Sequence, residues 1–115
     1  MTIEEINQAP VGTKVCWVEH DHMNKHGDIE FIYDEISDIK KRVDEAGWAE
    51  LKFHTIKASR VALNEKDALK NDLATILDME RYYNEYDSIP SRNILDVLAI
   101  ERAATERHLR EIENV

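Results

Sequence analysis

The last third of the chain carries two long patterns of apolar and polar positions, at residues 64–86 and 91–113. In both, apolar side chains recur at spacings of three and four, as they do on one face of an α-helix. A short polar break that contains Pro90 separates the two patterns. The sequence therefore predicts an antiparallel helical hairpin, with Asn64 and Ser91 as the residues that cap its two helices.

Each apolar stripe is interrupted by a glutamate, Glu80 in the first helix and Glu101 in the second. Antiparallel pairing would bring these carboxylates close together, and a buried carboxylate is costly unless it is paired. Three explanations stay open. Both side chains lie at the edge of the stripe, or Arg81, Arg102 or His108 neutralises them, or the layer binds a ligand or metal or carries out acid–base chemistry. In the third case the predicted ligand-binding residues are Glu80, Glu101, Thr105, His108 and Arg102.

The first 63 residues contain short apolar runs instead of long amphipathic ones. Thr2 and Glu5 stand at the spacing of a capping box, which predicts a helical turn over residues 2–7. Short apolar and β-branched runs predict three strands, and apolar positions three and four apart, followed by Gly47, predict a helix between the second and third. The predicted strands are 14–18, 29–33 and 48–57, and the predicted helix is 34–46.

These elements predict an α+β fold. It consists of a small three-stranded antiparallel sheet with one packed helix, followed by the C-terminal antiparallel two-helix hairpin. A chain of 115 residues is long enough to bury a core without disulfides. We expect a single domain over residues 1–115, with a small α/β part at 1–63 and the helical hairpin at 64–115.

The net charge is −9 at pH 7 and is unevenly placed. Residues 19–45 hold nine acidic against four basic side chains, and residues 64–88 hold seven against three. Nucleic acids and anionic membranes bind lysine and arginine, so this charge argues against both as direct partners. It favours either solubility alone or a protein partner with a basic surface. The predicted partner-binding acids are Asp28, Glu30, Asp34, Glu35, Asp38, Asp78, Glu85 and Asp87.

Motifs for catalysis or cofactor binding are missing from the sequence. Its three glycines are isolated, which excludes a glycine-rich phosphate loop, and neither a serine nor the cysteine stands in a nucleophile motif. The histidines His20, His22 and His26 lie close together, but their spacing matches no closed zinc motif. We therefore predict a protein that is not an enzyme and has neither a cofactor nor a metal site.

The single cysteine, Cys16, excludes an intramolecular disulfide and lies in an apolar run, where it is expected to pack as a small buried hydrophobe. The acidic N-terminus argues against a signal peptide, and no apolar stretch is long enough to span a bilayer. These features predict a cytoplasmic protein.

The layout of a small sheet followed by a helical hairpin is loosely similar to that of small phage-encoded sponges that sequester cyclic nucleotides, without their residue signature. The size and acidity resemble those of phage inhibitors that mimic DNA. The function predicted is a non-catalytic acidic binding protein, a regulator or inhibitor that docks on a basic surface of a partner protein, such as one that holds nucleic acid. The alternative is a homo-oligomeric protein that binds or sequesters a small ligand in a polar pocket at the hairpin. The wide apolar faces also predict a homodimer through the C-terminal helices.

Overall fold

The computed structural model describes residues 1–21, 28–38, 42–85 and 88–114. Within these ranges the chain is a mixed α+β fold with two small antiparallel sheets and a C-terminal helical hairpin. The elements are α1 (Ile3–Gln8), β1 (Lys14–His20), β2 (Ile29–Glu35), β3 (Trp48–Glu50), β4 (Thr55–Lys57), a short 3-10 turn (Ala58–Arg60), α2 (Glu65–Asn84) and α3 (Ile89–Glu113).

Strands β1 and β2 pair antiparallel, as predicted, from Lys14 opposite Glu35 to His20 opposite Ile29. The other edge of β1 is partly paired as well, since Cys16 and Ala62 exchange both of their backbone hydrogen bonds. Strand β1 therefore lies inside the fold and β2 lies beside it.

Four consecutive residues of β1 are buried, so both of its faces are covered. Val15 and Trp17 point to one side and Cys16 and Val18 to the other, because side chains alternate along a strand. The first side packs against a core of Ile6, Ile36, Val43, Ala49, Leu51, Ile56, Ala58 and Val61. The second packs against Ala62 and the helical hairpin, through Ala68, Leu69 and Leu109. One strand is thus shared by two hydrophobic cores.

The predicted third strand at 48–57 is two strands, and the sheet is not three-stranded. Strands β3 and β4 form a separate hairpin, with Trp48 opposite Lys57. Residues 51–54 form the turn between them, in which the N–H of Leu51 donates to the carbonyl of His54 at 2.8 Å. Phe53, in the middle of the predicted strand, lies in this turn and is 73% exposed.

The helix predicted over 34–46 is wrong in the described residues. Asp34 and Glu35 are the last residues of β2, and Val43 forms a β-bridge with Ala49. Contacts with distant parts of the chain outweigh the local helical pattern here, because the Asp34 carboxylate is hydrogen-bonded to residues of the β3–β4 turn. Residues 39–41 lie outside the described part.

The helix ends follow capping chemistry. The capping box of Thr2 and Glu5 is present in α1, and the Asn64 side chain caps α2, both as predicted. Helix α3 begins earlier than predicted: Ser88 and not Ser91 is its cap. Proline is tolerated in the first turn of a helix, where no intrahelical N–H is needed, so Pro90 does not delay the start of α3.

No helix in the described ranges is both long enough and apolar enough to cross a membrane.

Candidate functional site

The first polar contact between α2 and α3 is an ion pair. Nη1 of Arg102 donates to Oε2 of Glu80 at 2.9 Å, and Nε of the same arginine lies 3.8 Å from Glu106. The second carboxylate oxygen of Glu80 is buried and has no hydrogen-bond partner within the described part of the chain. For Glu80, this geometry matches the explanation in which an arginine neutralises the glutamate between the helices.

Glu101 lies in a different environment. Its side chain is buried, and it forms part of the wall of a surface groove of about 360 Å³ between the two helices. The remaining lining is mainly apolar: Met79, Asn93, Ile94, Val97 and Leu98. Glu101 therefore places a carboxylate at an apolar groove, to which neither Glu80 nor Arg102 contributes.

Thr105 belongs to a third polar cluster, formed with Asp72 of α2 and His20 of β1. Its hydroxyl donates to Oδ2 of Asp72 at 2.7 Å, and Nε2 of His20 lies 2.8 Å from the same oxygen. Thr105 is fully buried, and the side chains of His20 and Asp72 are 6% and 8% exposed. The cluster is closed to solvent, so it joins three elements of the fold and is not an open binding site.

The sequence contains a signal for this cluster, although the cluster is not among the predicted sites. Asp72 stands in the apolar stripe of α2 at helical spacing from Leu69 and Ile76, as Glu80 does further along the same helix. His20 has the parity of Cys16 and Val18 along β1 and so faces the helices. A carboxylate in the stripe and a histidine on the facing strand together indicate a buried polar pair.

His108 is the last predicted ligand-binding residue. Its side chain is 34% exposed, and its Nδ1 lies 3.9 Å from a carboxylate oxygen of Glu111. The predicted set is therefore not gathered in one pocket. It is divided between the Glu80–Arg102 pair, the groove at Glu101, the buried cluster at Thr105 and the surface at His108.

Among the predicted partner-binding acids, Asp34 does not lie on the surface, because its side chain is fully buried. Oδ2 accepts a hydrogen bond from His54 at 2.7 Å, and the carboxylate also accepts from the N–H groups of Phe53 and Glu35. Burial acts to raise the pKa of this carboxyl, but the hydrogen bonds from His54 and the two backbone N–H groups outweigh it and lower the pKa. Asp34 therefore anchors the β3–β4 turn, and its carboxylate is not part of the exposed acidic surface.

The same contact holds His54 in a fixed orientation. Its imidazole is 46% exposed and stands edge-on to the ring of Trp17, with 5.1 Å between ring centroids. This contact with Asp34 joins the turn at residues 51–54 to β2.

Glu35 is partly buried, with a side chain that is 20% exposed, and its charge is neutralised. Its two oxygens lie 3.0 Å from Nζ of Lys52 and 3.2 Å from Nζ of Lys14. The hydrogen bond from Lys52, followed by that from Lys14, lowers the pKa of the Glu35 carboxyl. This acid therefore contributes little to the outward negative charge.

The other predicted partner-binding acids in the described ranges are exposed: Asp28, Glu30, Asp38, Asp78 and Glu85. Asp78 lies 3.8 Å from Arg81 of the same helix. The side chains of Glu30 and Asp38 have no hydrogen-bond or ion-pair partner within the part of the chain that the structure describes. Asp87 lies outside the described residues.

Several basic side chains are directed at backbone carbonyls instead of at these acids. Arg42 donates to the carbonyls of Ile6 and Ala9 at the end of α1. Lys57 donates to the carbonyl of Ala46, and Arg60 donates to that of Val18 and also pairs with Glu19. These cations stabilise the fold without neutralising the exposed acids on β2.

The histidine cluster of the sequence cannot be placed as a group, since His22 and His26 lie outside the described residues. Among the residues that are described, no three histidine, cysteine or carboxylate side chains are arranged to hold a metal ion. Cys16 is buried and unpaired with another cysteine, as predicted.

Comparison of the chain with models of protein families, with curated proteins and with solved structures finds no match. A proposal about its function therefore rests on its own residues.

Proposed function

We propose that this chain is a non-catalytic acidic binding protein, a regulator or inhibitor that docks on a basic surface of a partner protein. The observation that carries the proposal is that the carboxylates of Glu30 and Asp38 are exposed and have no partner in the described part of the chain. Asp28, which directly precedes β2, is exposed as well. A partner surface that binds nucleic acid has the required lysines and arginines.

The charge of the chain supports this direction of recognition. A net charge of −9 produces a negative field that attracts a basic partner over roughly the Debye length, about 8 Å at physiological salt. Contacts between exposed charges raise the association rate more than they raise the affinity. Docking of this kind therefore weakens as the salt concentration rises.

The test is capture of partners from a cell lysate at graded salt, with two double variants that change the net charge equally. Glu30→Lys with Asp38→Lys reverses the acids on and after β2, whereas Asp96→Lys with Glu113→Lys reverses exposed acids on α3. We expect the first variant to lose captured proteins at low salt and the second to retain them. Capture that is insensitive to salt, or equal in the two variants, would contradict the proposal.

A second candidate is supported by one observation, the carboxylate of Glu101 at the apolar groove between α2 and α3. A groove of this composition suits a small molecule with an apolar body and a cationic or hydrogen-bond-donating group. Val97 and Ile100 of the same helix are exposed, at 48% and 42%, and exposed apolar side chains on α3 favour the homodimer predicted from the sequence.

Native mass spectrometry of the untagged protein tests both parts of this candidate. A bound ligand appears as added mass that is lost in Glu101→Gln, and a dimer appears as doubled mass that is lost in Ile100→Glu. A ligand-free monomer in the unmodified protein would exclude this second candidate and leave the first in place.

A further inference from the structure

The outer edge of β2, the side that faces away from β1, carries backbone groups without a partner. Cys16 exchanges both of its backbone hydrogen bonds with Ala62, so its N–H and C=O point away from β2. In an antiparallel ladder, a residue whose N–H and C=O point away from the neighbouring strand forms a non-hydrogen-bonded pair with the residue opposite it. The N–H and C=O of that opposite residue point away as well. The residue opposite Cys16 is Tyr33, so the N–H and C=O of Tyr33 point away from β1.

Backbone groups that point away from β1 recur at every second residue of β2, because hydrogen-bonded and non-hydrogen-bonded pairs alternate along the ladder. Ile29, Phe31 and Glu35 have the same parity as Tyr33, so their backbone groups also point outward. Glu35 confirms the parity, because its carbonyl accepts a hydrogen bond from the N–H of Lys52 at 3.1 Å. No such bond is present at Ile29, Phe31 or Tyr33 within the described part of the chain.

The open edge therefore runs from Ile29 to Tyr33 and ends where the β3–β4 turn meets Glu35. Five residues of a strand span about 17 Å, which is the length of an ordinary strand. An edge of this kind is a template for an added strand, which gains affinity from main-chain hydrogen bonds.

The side chains along this edge define what an added strand must carry. On one face stands Glu30, exposed and without a described partner, and the acids that precede and follow the strand, Asp28 and Asp38, are exposed as well. On the other face stand Phe31, which is partly buried, and Tyr33, which is 59% exposed and hydrogen-bonded through its hydroxyl to Glu65. Cross-strand neighbours of these residues are favourable when they are basic on the first face and apolar or aromatic on the second.

We infer that the outer edge of β2 accepts an extended basic segment of a partner protein as an additional strand. This inference rests on the proposed function and specifies how the partner binds. A second copy of β2 is disfavoured as the occupant, because two such strands would bring their acids together, and like charges on neighbouring strands are destabilising.

The experiment uses the full chain and a synthetic peptide of about seven residues, a usual strand length, with alternating lysine and valine. Two further peptides carry N-methyl groups on alternate residues, one on the odd and one on the even positions. N-methylation removes a backbone donor and leaves the charge unchanged, and only every second N–H of an added strand faces β2. We expect one methylated peptide to bind as the parent does and the other to bind at least about tenfold more weakly, because it lacks several hydrogen bonds.

A matched pair of protein variants tests the same edge from the other side. Tyr33→Pro removes the outward N–H, and proline is tolerated on the open side of an edge strand. Tyr33→Thr removes the same ring and the same contact with Glu65 but keeps the N–H. We expect the proline variant to lose the parent peptide and the threonine variant to retain it.

Amide hydrogen exchange gives a readout that does not depend on the variants folding. In the free protein the N–H of Ile32, which pairs with Trp17 of β1, should exchange slowly and that of Tyr33 rapidly. The parent peptide should slow the exchange of Phe31 and Tyr33.

Salt-dependent binding that is equal for both methylated peptides would overturn the added strand while leaving the acidic docking function standing. Failure of the parent peptide to bind at low salt would also overturn it. In either case the charge-reversal capture experiment remains an independent test of the docking function.

Discussion

Asp34 is a residue whose ionised form stabilises the fold. Its carboxylate has a lowered pKa, so the folded state binds the proton less readily than the unfolded state does. The stabilisation is therefore fully present above the ordinary aspartate pKa of about 4 and is lost as the pH falls through the lowered value.

We expect Asp34→Asn to reduce the free energy of unfolding by about 1–3 kcal/mol at pH 6, the usual cost of weakening a buried charge-assisted network. The difference between the two proteins should shrink as the pH falls below about 4, because the unfolded carboxyl of the unmodified protein then takes up a proton. Urea unfolding between pH 2 and pH 6 measures both.

The control is Asp38→Asn, an exposed acid four residues further on without a partner in the described ranges. It should change stability by less than about 0.5 kcal/mol at pH 6. Equal effects of the two substitutions would show that the contacts of Asp34 contribute nothing beyond an ordinary surface charge.

Single residues were predictable from the sequence where their neighbours in the chain decide their environment. The burial of Cys16 follows from the apolar residues on both sides of it, and it is confirmed. The burial of Asp34 depends on His54, which is 20 residues away, and no local pattern indicates that contact. The exposure of Glu30 was predictable because it alternates with Ile29 and Phe31 along the predicted strand and so lies on the opposite face from them.

At the scale of elements, the cluster of His20, Asp72 and Thr105 joins β1 to both long helices. Thr105→Val removes the hydroxyl and keeps the shape of the side chain, so the buried Asp72 carboxylate loses one hydrogen bond. We expect a loss of about 1–3 kcal/mol in the free energy of unfolding, measured by urea titration. Thr55→Val, at an exposed position of β4, is the matched control and should stay within about 0.5 kcal/mol.

A double-mutant cycle shows whether Thr105 and His20 act on Asp72 as one coupled cluster or as two independent contacts. Thr105→Val combined with His20→Asn should show a coupling energy of about 0.5–3 kcal/mol, because both side chains bind the same carboxylate oxygen. Strictly additive effects would contradict a shared cluster.

Like single residues, the helices and strands were predictable where neighbouring residues in the chain decide their structure. The patterns at 64–86 and 91–113 predict α2 and α3 to within about two residues at each described end, because a long amphipathic repeat is a local signal. The pattern at 34–46 is equally periodic but shorter. Its first residues belong to β2, where contacts with the β3–β4 turn hold them. Neither the division of the sheet nor the separation of the predicted ligand-binding residues has a sequence signal, since both depend on how distant segments pack.

At the scale of the whole molecule, Cys16 reports on global unfolding. Burial, and to a smaller extent the negative charge of Glu65, raises the pKa of its thiol, so little thiolate is present at pH 8. We expect a thiol reagent to label the folded protein at the rate of global unfolding and the denatured protein at once. Labelling of the native protein that is fast and independent of added denaturant would show that the side of β1 facing the helices opens on its own.

The burial of β1 on both faces also bears on which substitutions the chain tolerates. A strand with one face in solvent accepts polar residues at every second position, so a complete substitution scan of it gives an alternating profile. Along Val15, Cys16, Trp17 and Val18 no position faces solvent, because each side chain belongs to one of two cores. The scan should therefore show an unbroken run of intolerant positions, and any relative that keeps the same fold should keep apolar residues at all four of them.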